Sequence, residues 1–99
     1  MIRKYLIERE IPGAGALTPE QLAGAAHKSN CALSAVGPGI QWLHSYVTDD
    51  RIVCVYLAED EALIARHAEA SGFPATRVVE VHSVIDPATE QRWRAAAAA

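Results

Sequence analysis

Apolar and polar positions alternate in "KYLIERE", where Tyr5 and Ile7 stand against Leu6 and Glu8, and this period of two predicts a first strand ending at Pro12-Gly13. The period then lengthens. Leu22, Ala25, Ala26, Ser29 and Leu33 recur at helical spacing, after Thr18 as N-cap, Pro19 at the first helical position and Gln21 closing a capping box. Gly37-Pro38-Gly39 stops that helix.

"IQWLHSYV" and "RIVCVYL" are rich in β-branched and aromatic residues and flank Thr48-Asp49-Asp50-Arg51, which predicts a β-hairpin. With Asp49-Asp50 at the turn, Ser45 faces Cys54, and Leu43, Val47, Ile52 and Tyr56 share their side of the sheet. The other side carries Trp42, His44, Tyr46, Val53, Val55 and Leu57. Both sides are apolar enough to need cover, and one layer of helices covers only one of them.

Glu59, Asp60 and Glu61 suit the positive end of a second helix, and Gly72 ends it before Phe73-Pro74. Within that helix Leu63, Ile64, His67 and Ala70 recur three and four apart, so an ionisable imidazole falls in the apolar stripe. "RVVEVHSVI" reads as a fourth strand, and Asp86-Pro87 begins a short last helix before an alanine run expected to fray. The order β-α-β-β-α-β predicts an α+β, ferredoxin-like fold: a four-stranded antiparallel sheet with two helices on one face and a short C-terminal helix. Residues 1–90 form the single domain and 91–99 a helical or frayed tail. The open sheet face predicts a homodimer.

Composition narrows the function. The chain has 99 residues, 51% of them hydrophobic, enough for a core without obligatory disulfides or a structural metal. Nine basic against twelve acidic residues give a net charge of -3 with no basic block, which argues against nucleic-acid binding. "MIRKYLIERE" holds no apolar signal core and "IVCVYLA" is too short to span a bilayer, so the expectation is a soluble, cytoplasmic chain with no membrane partner. Cys31 and Cys54 lie far apart without CxxC spacing, which fits reduced thiols.

"YLIEREIPGAGALTPEQL", "HKSN", "GPGIQWLHSYVTDDRIVCVYLA", "GFPATRV" and "VIDPATE" resemble, in order and spacing, a family of short bacterial proteins described as a domain of unknown function, from about Tyr5 to about Glu90. Its structurally described actinobacterial members bind nickel. The resemblance implies a ferredoxin-like homodimer that takes up nickel at the dimer surface, and it supplies no ligand motif that transfers residue by residue.

The residues themselves offer four imidazoles, His27, His44, His67 and His82, each on a different predicted element. Imidazole with carboxylate or water suits nickel and other late divalent ions, but no two histidines stand one helical turn apart, so a site has to be assembled by the fold or across a dimer. The strand order puts His44 and His82 at opposite sheet edges, where solvated polar groups are also ordinary. His27 lies on the flank of the first helix near Asn30 and Glu20, as an exposed histidine or a ligand. His67 is either a core histidine bonded to a carbonyl or sheet hydroxyl, or part of a cavity or metal site.

Cys54 reads as a small buried hydrophobe, and with Ser45, Tyr56 and His67 it outlines a polar pocket under the second helix. Two functions from different classes follow. One is a divalent-metal-binding homodimer in nickel sequestration or homeostasis. The other is a cofactor-free enzyme, an isomerase, cyclase or monooxygenase by fold analogy, with His67 as general base and Tyr46 or Tyr56 orienting a substrate in the cleft. A third reading is a regulatory dimer whose histidines merely tolerate metal.

Overall fold

The computed structural model describes residues 1–98. In chain order it contains β1 (Arg3–Glu10), a 3-10 turn (Ala14–Ala16), α1 (Pro19–Val36), β2 (Ile40–Val47), β3 (Arg51–Ala58), α2 (Glu61–Ser71), β4 (Arg77–Val81) and α3 (Thr89–Ala98). The strands form one antiparallel sheet in the order β2-β3-β1-β4, the ferredoxin-like arrangement. Both helices that follow a strand in that order, α1 and α2, pack side by side on the face carrying Tyr5, Ile7, Cys54, Tyr56 and Ala58, where Ile64 completes the core.

The ends of α1 and the stop of α2 are built as the sequence predicts, while α3 begins at Thr89 rather than at Pro87. Thr18 Oγ1 accepts from Gln21 N at 3.2 Å while Thr18 N donates to Gln21 Oε1 at 2.9 Å. This capping box satisfies two donors that the first turn leaves free, so Thr18→Ala is expected to cost about 1 kcal/mol in urea denaturation, with an unchanged denaturant slope. Asp60 caps α2 through Leu63 N, and Gly72 ends it in the left-handed region at φ 75°. The "GAG" segment is a 3-10 turn docked on the hairpin. Gly15 N donates to Asp49 O at 2.9 Å, and a Cβ on Gly15 would meet the Asp49 Cα at 3.0 Å.

The hairpin register places Ser45 opposite Cys54, as predicted. A bulge then intervenes between Trp42 and His44, so Trp42 pairs with Tyr56 and shares its face. This corrects the expected alternation at two positions. Trp42 turns under α1 and donates its indole N–H to Ser45 Oγ at 2.9 Å, while Leu43 is displaced to the surface.

The opposite face of the sheet has no helix on it. Three rows cross it: His44-Val55-Leu6-Val79 in the middle, flanked by Tyr46-Val53-Glu8-Arg77 and Gln41-Leu57-Lys4-Val81. β4 does not run on to Ile85, because its neighbour β1 begins at Arg3, one residue beyond Val81's partner Lys4, and gives Ser83 onward nothing to pair with. His82 lies just past the strand. Beyond it the chain leaves the body: Val84, Ile85 and Trp93 are exposed, and α3 buries none of its residues. The radius of gyration is 16.0 Å, against about 13 Å for a compact domain of this length. The alanines through Ala98 are helical instead of frayed, as the high intrinsic helix propensity of alanine allows.

Candidate functional site

A cavity of about 200 Å³ lies between α1 and the sheet, partly open to solvent. Two small residues of α1, Ala25 and Ala26, face the sheet here and leave the space that larger side chains would fill. The predicted pocket residues Ser45, Cys54 and Tyr56 are in its wall. Tyr46 is on the other face of the sheet, its hydroxyl 3.0 Å from His44 Nε2, and is separated from the cavity by the strands themselves. Arg9, Ser29 and Trp42 also line the cavity. Arg9 was legible in the alternation that puts Tyr5 and Ile7 inward, since it is the next residue of that set.

His67 is fully buried on α2 but stands behind the cavity wall rather than in it. Its Nε2 lies 3.3 Å from the Ser29 carbonyl and 3.2 Å from Ser29 Oγ. A carbonyl only accepts, so this bond puts the proton on Nε2 and leaves Nδ1 as a bare acceptor, which is buried without a partner. Burial, with Ser29 opposing and the Arg9 charge adding, lowers the imidazole pKa below its ordinary value. Ser29 Oγ continues the chain to Tyr56 OH at 3.5 Å. Burial raises the Tyr56 pKa above its ordinary value, so the phenol stays protonated at neutral pH.

The four histidines are not brought together. His44 sits on exposed β2 and His82 beyond the far edge, with its Nδ1 3.5 Å from Glu80 Oε2, a carboxylate that Arg3 also holds at 3.0 Å. Among the described residues, no group of three or more His, Cys, Asp or Glu side chains is positioned to hold a metal ion. A second pair, with no cationic side chain on it among the described residues, converges on α1. His27 Nε2 and Cys31 Sγ are 3.6 Å apart on the exposed side of α1, one turn from each other. The sequence signal for it was the i, i+4 spacing of a histidine and a cysteine, which attention to histidine pairs alone passes over. Tetrahedral zinc takes nitrogen at about 2.0 Å and sulfur at about 2.3 Å, which sets the donors about 3.5 Å apart. The pair fits that requirement as it stands.

The strand order and the helix layer define a small ferredoxin-like α+β domain. The model of the family described as nickel responsive protein SCO4226-like matches residues 5–81, and the chain belongs to that family. "VIDPATE" lies beyond the matched residues. The crystal structure of SCO4226 from Streptomyces coelicolor A3(2) is similar in fold, with a TM-score of 0.70 at 15% identity over 83% of this chain and 99% of that one. No curated protein matches the chain. No helix among the described residues is long and apolar enough to cross a membrane.

Proposed function

We propose that the protein is a nickel-binding homodimer that takes up the ion through His27 and Cys31 on α1, in metal sequestration or homeostasis. The observation that carries this reading is the His27–Cys31 pair, whose 3.6 Å separation suits one late divalent ion and whose imidazole is a donor that nickel takes. The family description adds nickel responsiveness. Two donors are half a coordination shell, and water or a second copy supplies the rest. His44 and His82, on opposite edges, are secondary candidates for sites shared across a dimer axis. His67 is read as a structural group, because it is buried and its bonding nitrogen is engaged by Ser29.

The dimer is supported by the uncovered face. Leu6, Val53, Leu57, Val79 and Val81 stand half-buried there with no helix over them, and the arm after Val81 adds exposed Val84, Ile85 and Trp93. A second copy would bury both. The cavity under α1 supports a cofactor-free enzyme less far, since among the described residues its wall holds no imidazole or carboxylate to move a proton.

Native mass spectrometry of tag-free protein titrated with nickel tests mass and metal count together. The expected result is a dimer that loads nickel stoichiometrically, a lower metal count in the doubly substituted His27→Ala, Cys31→Ser protein, and an unchanged count in His67→Ala. Equal loading with both α1 donors removed would refute the assignment. A monomer at micromolar concentration would refute the dimer.

A further inference from the structure

The cavity under α1 contains a feature that neither the metal reading nor the packing of the core accounts for. Arg9 is 2% exposed, and no carboxylate among the described residues stands within ion-pair distance of its guanidinium. Buried charges are ordinarily paired, because removing an ion from water costs several kcal/mol. Here the protein supplies only neutral acceptors. Nη1 donates to the Pro74 carbonyl at 2.9 Å and more weakly to Phe73 O at 3.5 Å, and Nε donates to Cys54 Sγ at 3.4 Å. These bonds fix the plane of the guanidinium without neutralising it. Nη2 is buried and has no hydrogen-bond partner among the described residues.

The rest of the wall says what kind of anion would suit. Leu22, Trp42, Val47, Ile52 and Phe73 make it largely apolar, and Tyr56 adds a phenol held in its protonated form. The volume of about 200 Å³ exceeds the roughly 150 Å³ of an engineered cavity that takes up benzene. We infer that this cavity binds a small apolar monoanion, a carboxylate carried on one ring or a short hydrocarbon chain, with the guanidinium of Arg9 in its wall as the anchoring charge. The carboxylate supplies the missing countercharge, while the hydrocarbon body fills the space left by Ala25 and Ala26. The site is on the opposite side of α1 from the His27–Cys31 pair, and the inference stands independently of the metal reading.

Trp42 lines the cavity and reports on it directly. Metal-free protein carrying Trp93→Phe, which leaves Trp42 as the sole indole, is titrated with benzoate, phenylacetate and hexanoate, with benzamide as the uncharged counterpart and inorganic phosphate as an anion without an apolar body. At least one carboxylate is expected to change Trp42 emission saturably, at least about ten-fold more tightly than benzamide or phosphate does, a difference of the size one charge-assisted bond gives. Arg9→Met should abolish the preference for the acid over the amide. Should that variant fold poorly by circular dichroism, Ala25→Leu fills the cavity from α1 with Arg9 intact and is expected to abolish binding of every probe. Three results would each overturn the inference: no saturable response to any carboxylate up to about 10 mM, equal binding of benzoate and benzamide, or an acid preference that survives in folded Arg9→Met.

Discussion

Ile64→Ala is expected to remove about 2–5 kcal/mol of stability, a large part of the roughly 5–15 kcal/mol that holds a domain of this size together. Ile64 is fully buried at the point where α2 meets the sheet, in the same cluster as Tyr5, Ile7, Cys54, Tyr56 and Ala58. Three carbons are lost from a cluster that includes two tyrosines held on paired strands, which cannot fully close in. The transfer loss and the residual cavity therefore add. Urea denaturation at neutral pH measures it, and the slope should match that of the unmodified protein. Glu69→Ala serves as the contrast. Glu69 is exposed on the same helix, and its removal should change stability by less than about 0.5 kcal/mol. A loss below about 1 kcal/mol for Ile64→Ala would mean that α2 is free to settle onto the sheet, and that the helix layer is looser than its packing implies.

The parts of this fold legible in the sequence are those fixed by local chemistry. The capping box at Thr18 and Gln21 and the stop at Gly72 each bound a helix without reference to the rest of the chain. The Asp49-Asp50 turn set the Ser45–Cys54 pairing, because a hairpin's register follows from its turn. The bulge at Leu43 was not legible: strict alternation puts Leu43 under the helices and Trp42 outside, and only the cavity beneath α1, with Ser45 Oγ to accept the indole N–H, makes the reverse favourable. The end of β4 likewise depended on where β1 begins, a non-local fact.

The candidate sites divide in the same way. The His27–Cys31 spacing and the inward parity of Arg9 are both present in the sequence as local patterns. Strand alternation already turns Glu8 and Glu10 away from Arg9, but that no distant carboxylate among the described residues reaches it is a property of the assembled core. The cavity itself arises from small α1 residues set against a four-stranded surface, and volume is not written in a hydropathy pattern.

Acidification should destabilise the protein through His67, and the sign follows from which form the fold holds. The imidazole is buried, donates from Nε2 to Ser29 and has its pKa lowered chiefly by desolvation, so the folded state keeps it neutral at a pH where the unfolded chain has already taken up a proton. The contribution is fully present above the unfolded value of about 6.5 and is lost as pH falls from there through the lower folded value, at up to about 1.4 kcal/mol per pH unit. Protonation would place a second charge in a core that already contains the unpaired Arg9, so little within the protein would offset it. Urea midpoints in chelator-treated protein between about pH 7.5 and pH 5 measure the effect. His67→Leu should start lower at neutral pH, having lost the Ser29 bond, but decline less steeply across that window. Parallel declines in the two proteins would assign the acid sensitivity to other groups. They would also mean that the imidazole in the apolar stripe of α2 titrates in the folded state much as it does in the unfolded chain.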